Sequence, residues 1–582
     1  MSSRGKIDSK KILVKDVFIN MWFSIPVYQR PYVWGTDEVS EILDDLTHAM
    51  TENPENPDFE YFFGSFVFQS KAAAPENGRK FPENDLLDGQ QRMATILMLL
   101  AVIRDFVVDC DTKDTCQKCI YQKKNKHLKI PEQTRLAYVT RPKVTNFINE
   151  YIKTESGTEK EDKLSEERKN SKDLSVKNMA NAVLVMRKFF LNDPSVEPTK
   201  LLDFLLNNVL FIYVSTEDLD DAFRLFRVLN DRGVQLRSSD ILKSMNLSAL
   251  KSEDELIKYA KMWEDAEGDL GDNGNGFERF LNYVRTILVQ DKSRHELIKE
   301  FESKIYAPNK LQIGQETFDL VEKYLKIYRD LLDGKKSFFW HHNYEFDTLL
   351  KVMLEGLLGT EWISPLLCFF EKFGYTEIKT FLKLLDIKYS SDWIGRRYSP
   401  TDRIMAMIEI IKVIDAANPS NVDDVLNSRC FDIDKDSFIR EVEGPIYGRR
   451  FARYLLLKLD YFYADHSQPM HVERLSVEHI LPQNPAKDSN WMKDFSPEEL
   501  AKWTDRIGNL VLITGSKDSS LGRLDYAEKV ERYFKNRITT CPHALHVFKE
   551  YNKWTPEELQ RNQRIVLEDV YRLYDIALVK RK

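Results

Sequence analysis

Cysteine is scarce, neither sign of charge dominates, and no long apolar run occurs in this 582-residue sequence. Each scarcity excludes a class. Six cysteines over such a length do not make a disulfide framework, so reduced thiols in a cytoplasmic setting are expected. Three of them, Cys110, Cys116 and Cys119, stand ahead of His127, a set able to hold tetrahedral zinc. The spacing from Cys110 to Cys116 is unusual and only one CxxC pair is present, so unligated thiols are the expectation. The longest apolar run, residues 96–103, falls far short of the roughly 18 residues that a bilayer span needs. Residues 1–10 are polar and carry no apolar core of a secretory signal. A formal net charge of −7 excludes a polycation that holds nucleic acid by bulk charge. Local basic surfaces remain, such as Arg440, Arg449, Arg450, Arg453 and Lys458. There is no internal repeat and no GxxxxGK[ST] phosphate loop, because Gly334-Lys335 lacks both the upstream glycine and the following hydroxyl.

What is present suits a multidomain α+β chain. Hydrophobic residues make up 42% of the sequence, enough for packed cores, and the length calls for two to four of them. Residues 11–110 mix strand-like and helical runs. Residues 61–68 (YFFGSFVF) read as a buried strand. Asp85-Leu-Leu-Asp-Gly89 leads through a turn into a helix with Met93, Ile96, Leu97, Leu100 and Ile103 at helical spacing on one face. Residues 154–178 are almost wholly polar and predict a solvated insertion or mobile loop. A helix is expected near 179–190, a strand at 209–214, a helix near 220–229, and another capped by Ser238 or Ser239. Residues 251–434 read as a helical middle region. From 435 to 582 the pattern changes to helix, strand–loop–strand, helix.

Two constellations carry chemistry. In the C-terminal one, Glu478 directly precedes His479 on a short apolar run, and Gly508-Asn509, Asp518 and Lys529 follow. Phosphodiester hydrolysis needs a water deprotonated near neutral pH, which suits histidine, and a divalent cation, which prefers carboxylate oxygens. On a strand, Glu478 and His479 point to opposite faces. In the N-terminal constellation, residues 25–34 (IPVYQRPYVW) and 87–92 (LDGQQR) stand out. A glycine turn opening a helix presents N–H groups and a positive dipole end to an anion, and Arg92 adds a fork of donors. Tyr28, Gln29 and Arg30 supply donors and a stacking ring. An internal role, with Asp88 capping the helix and Arg92 pairing to it, is the structural alternative.

The C-terminal set resembles the HNH, or ββα-metal, nuclease superfamily, and more closely the variant that ends GmrSD-type, modification-dependent restriction enzymes. The residues that carry this likeness are residues 478–483 (EHILPQ), residues 508–510 (GNL), Asp518 and Lys529. The resemblance implies His479 as general base, Glu478 and Asp518 as ligands of Mg2+ or Mn2+, Asn509 as the residue orienting the imidazole, and Lys529 as a phosphate contact. The family usually has asparagine or histidine where Asp518 stands. The N-terminal motifs, with residues 229–236 (LNDRGVQL) and 240–243 (DILK), resemble the N-terminal domain of the same enzymes. That resemblance implies a ParB/sulfiredoxin-like fold over residues 1–250 that binds and hydrolyses a nucleoside triphosphate such as GTP or ATP through Asp88, Gly89, Gln90, Gln91 and Arg92. Met93 and Ala94 replace the family's usual leucine and threonine, as packing choices.

The expected function is a nucleotide-regulated, metal-dependent DNA endonuclease defending against phage or other foreign, modified double-stranded DNA. A homodimer fits one active site per chain. Two other readings stay open: a regulator that binds nucleotide and DNA without cutting, and a chain whose N-terminal domain is itself the DNA-processing part.

Overall fold

Near-continuous runs of branched and aromatic residues build the two longest strands of the N-terminal part, β3 (Tyr61–Lys71) and β8 (Val209–Thr216). The others are β1 (Asp8–Leu13), β2 (Phe23–Ser24), β4 (Glu83–Asp88), β5 (Tyr121–Gln122), β6 (Gln133–Thr134) and β7 (Leu136–Ala137), followed by β9 (Leu475–His479) and β10 (Leu510–Thr514). The computed structural model describes residues 7–26, 29, 31–52, 59–71, 83–124, 127, 132–138, 141–217, 237–250, 252–271, 275–332, 344–470, 475–514, 522–535 and 541–577. The chain divides into two units, Met1–Asp265 and Ala266–Lys582.

The first unit is built on a six-stranded mixed sheet in the order β1-β8-β3-β4-β2-β7. β8 lies antiparallel to β1 and parallel to β3. The aromatic run on β3 explains its central place. Phe66 packs edge-on against Phe23 and Phe211, with ring centroids 5.6 and 5.3 Å apart, a geometry aromatic quadrupoles favour. Beneath the sheet runs the helix Gln90–Phe106, buried on nearly every side rather than along the single face expected. The helices Cys110–Ile120, Leu174–Asn192 and Pro198–Asn207 pack against it.

The polar stretch at 154–178 is not the loop its composition predicts. It forms a helical turn at Gly157–Glu159 and the helix Glu161–Asn170, and then enters the helix Leu174–Asn192. Few apolar anchors suffice, because Leu164 and Val176 are buried while the charged faces meet water. The carboxylate of Asp105 pins the entry by accepting from the backbone N–H of Ser156 and Thr158, each at 3.0 Å. The expected strand and helices at 179–190, 209–214 and 238 onward are present. The helix expected near 220–229 and the motif at 229–236 lie outside the described residues.

In the second unit the described part of the middle region is helical, and β9 and β10 form a two-stranded antiparallel hairpin. The basic cluster read from the sequence is only partly a surface. Lys458 is buried and ion-paired with Asp386, and Arg453 donates to the Glu355 carbonyl at 2.7 Å. Arg449 and Arg450 are exposed. Among the described residues, no helix is long and apolar enough to cross a membrane.

Candidate functional site

The pleat of β9 separates its last two residues. Glu478 pairs with Val511 and His479 with Leu510 across the hairpin, and successive side chains leave on opposite faces. Glu478 turns to the helix Tyr526–Lys535, where Lys529 Nζ donates to Glu478 Oε1 at 3.0 Å and to the His479 carbonyl at 2.6 Å. Lys529 is fully buried. Burial pushes its pKa down, opposed by the Glu478 carboxylate.

His479 turns the other way. Its Nε2 lies 3.1 Å from Asp505 Oδ1, an oxygen that also accepts from Gln483 Nε2 at 2.9 Å. The Tyr447 ring sits 4.1 Å from the imidazole, inclined by 55°. The imidazole is mostly buried, and this desolvation pushes its pKa below the ordinary histidine value. The hydrogen bond and charge of Asp505 work against that fall, and Lys529 adds to it. With Nε2 donating its proton to Asp505, Nδ1 is left as the basic nitrogen.

Asn509 does not reach the ring. Its Oδ1 accepts from Leu481 N at 2.8 Å, and its Nδ2 donates to the carbonyls of Leu481 and Thr504 at 2.9 and 2.8 Å. An amide matches peptide groups on both edges, so Asn509 clamps the chain after His479 to the chain before Arg506. It positions Asp505 and His479 through the backbone rather than by contact with the imidazole. Gly508 permits this clamp. A Cβ there would stand 2.5 Å from Gln563 Cα, and Gln563 Oε1 accepts from Gly508 N at 2.7 Å.

The sequence reading of Lys529 as a phosphate contact is corrected, since its ammonium is enclosed and committed to Glu478 and the His479 carbonyl. For Glu478, a cation already occupies the carboxylate expected to hold a metal. Asp518, its expected partner, lies outside the described residues. Among the described residues, no group of three or more His, Cys, Asp or Glu could hold a metal ion. Of the metal set that the resemblance implies, the described residues hold Glu478, which is ion-paired with Lys529. Sequence reasoning missed Asp505 and Tyr447 and gave Gln483 no role. The one available signal was an acid immediately before residues 506–509 (RIGN).

In the N-terminal motif, Gly89 begins the helix in the left-handed region at φ +85°, and a Cβ there would lie 2.6 Å from Phe66 Cβ. Gly89→Ala is therefore expected to cost more than about 1 kcal/mol from backbone strain alone, seen as a lower midpoint in thermal unfolding. Two glutamines are structural links rather than free donors. Gln91 accepts from Val33 N at 2.9 Å and donates to the Pro31 carbonyl at 3.0 Å, while Gln29 donates to the Leu87 carbonyl at 2.7 Å. Together they fasten the residue 29–33 loop to the DGQQR turn. Gln90 is buried. Arg92 is partly exposed, with Nη1 donating to the Ser65 carbonyl at 3.1 Å and its guanidinium lying against Gly64. Tyr28 and Arg30 lie outside the described residues.

Cys116 and Cys119 are packed in the core, and burial pushes their thiols up to about 12 and about 11. Ionising them there is costly. Cys110 is exposed.

Residues 11–247 match the family model of the GmrSD restriction endonuclease N-terminal domain, and residues 432–568 match that of the GmrSD restriction endonuclease C-terminal domain. The two occur in the order that the motifs predict. No curated protein matches the chain.

Proposed function

Because the chain belongs to the GmrSD restriction endonuclease family, we propose that it is a DNA endonuclease whose cutting site is the His479–Asp505 pair, held by an HNH-type hairpin and helix. The observation that carries this reading is a mostly buried imidazole, its pKa pushed down by desolvation, 3.1 Å from a carboxylate inside the matched C-terminal domain. His479 takes a proton from water as that water attacks phosphorus. The P–O bond to the leaving sugar oxygen breaks, that oxygen takes a proton from solvent, and the imidazolium returns its proton to solvent. Asp505 fixes the ring and stabilises its charged form. Asn509 and the Gly508–Gln563 contact keep both on one rigid frame.

The dependence on Mg2+ or Mn2+ is carried by the family resemblance alone. The substrate in this proposal is modified double-stranded phage or foreign DNA, met in the cytoplasm. The N-terminal unit is proposed to be the ParB/sulfiredoxin-like nucleoside triphosphate site, with Arg92 at the phosphates and Asp88 beside it. A homodimer would supply a second cutting site for the second strand. One observation favours the alternative of a binder without turnover: the Lys529–Glu478 ion pair occupies a carboxylate that hydrolysis was expected to use.

The test is cleavage of modified and unmodified phage DNA by the purified chain, with Mg2+ or Mn2+ and with or without GTP and ATP. Cleavage that EDTA abolishes is expected. Arg92→Ala should lose the nucleotide response while a basal rate remains. No cleavage under any of these conditions sinks the nuclease reading, and a full nucleotide response in Arg92→Ala sinks the assigned nucleotide site.

A further inference from the structure

A cleft of about 1220 Å³ opens in the second unit, with Trp503, Arg506, Gln563, Arg564, Glu443 and Glu568 in its lining. Its wall is the same segment that builds the cutting site. Trp503 and Arg506 flank the Thr504 and Asp505 positions, and Gln563 holds Gly508. Gln563 is almost fully buried, and its Nε2 has no hydrogen-bond partner among the described residues, an arrangement that costs free energy unless a ligand accepts from it.

The chemistry of the lining is mixed. Arg506 is committed to the Lys502 and Glu443 carbonyls, and Glu443 Oε1 accepts from Tyr571 Oη at 2.9 Å. Exposed Arg564 stands at the rim. Carboxylates beside guanidiniums are a poor track for a string of phosphates. They suit a flat heterocycle whose edge offers both amine donors and carbonyl or ring-nitrogen acceptors. Trp503 supplies a stacking face. Arg506 lies 5.4 Å from its ring centroid, and exposed Lys502 covers it at 4.5 Å on a flexible stem that a base can displace.

We propose that this cleft binds a nucleobase, stacked at Trp503, with an acceptor on Gln563 Nε2 and its 5′ phosphate near Arg564. The inference rests on the nuclease reading for its preferred source, a base swung out of the DNA next to the cutting site. A free nucleotide offers the same chemistry. Extrusion is easiest where pairing is already broken, so the test compares DNA duplexes with and without one mismatch.

Binding is measured by fluorescence anisotropy with the full-length His479→Ala chain, which separates binding from cutting, and by calorimetry with the four deoxynucleoside monophosphates. The mismatched duplex is expected to bind roughly tenfold tighter. Trp503→Ala and the rim variant Arg564→Glu should each remove that preference with thermal unfolding unchanged. Binding of monophosphates with no mismatch preference, lost in the same variants, supports the nucleobase site and assigns it to a free nucleotide. Neither form of binding, or binding that both variants leave intact, overturns the proposal. If the wild-type chain cuts no DNA yet the Trp503-dependent binding persists, the nuclease reading falls and the nucleobase site stands.

Discussion

Replacing His479 with alanine is expected to lower DNA cleavage by about 10²–10⁴-fold, the usual contribution of a positioned general base. DNA binding should change little. The expectation follows from the ring's surroundings. Burial holds the imidazole neutral near pH 7, Asp505 takes its Nε2 proton, and Asn509 fixes the backbone on either side. Single-turnover cleavage measures the chemical step without product release. A rate within a few-fold of wild type would show that another group activates the water. The fold should survive, because the lost ring contacts are with partly exposed Tyr447 and Asp505 rather than with the apolar core.

The largest stability effect is expected at Lys529. Its ammonium is enclosed and makes two bonds, to Glu478 and to the His479 carbonyl. Lys529→Met keeps most of the length of the side chain and removes the charge. Glu478, mostly buried, then loses its cation, and the carbonyl at the end of β9 loses a donor. Breaking one side of a buried pair costs about 3–5 kcal/mol, and chemical denaturation should show a loss of that order. The double variant Lys529→Met with Glu478→Gln should recover part of it, since no buried charge is then left unpaired. A Lys529→Met protein as stable as wild type would mean that the ammonium is not held by these two bonds. The same measurement bears on the cation question, because a stabilising Lys529 argues that Glu478 serves the fold rather than a metal.

The elements that the residues made legible are those with a dense local run of apolar or aromatic residues. The aromatic run of β3, the apolar helix after Gly89 and the Glu478-His479 strand all stand where their patterns place them. The residue 154–178 segment misled because composition measures average polarity, whereas Leu164 and Val176 need only single buried positions to dock a charged helix. The candidate site was half legible. The adjacency of Glu478 and His479 is local, but their separation to Lys529 and to Asp505 depends on long-range packing that no spacing encodes. Asn509 was recognised by type and assigned the wrong partner, because an asparagine that clamps backbone and one that touches an imidazole look alike in a sequence. The glutamines of DGQQR show the same ambiguity. Their amides serve ligands and peptide groups equally well, and Gln91 serves the latter.

The central claim is that neutral His479, tuned by Asp505, performs the chemistry. It is tested most directly by the pH dependence of single-turnover cleavage in the wild type and in Asp505→Asn. Burial lowers the imidazole pKa and Asp505 raises it. The wild-type rate should therefore hold through neutral pH and fall only on the acid side of about 6.5, where the ring takes up a proton. Removing the carboxylate should carry that acid limb to still lower pH. An acid limb at or above the ordinary histidine value, or one that does not move in Asp505→Asn, would contradict the account.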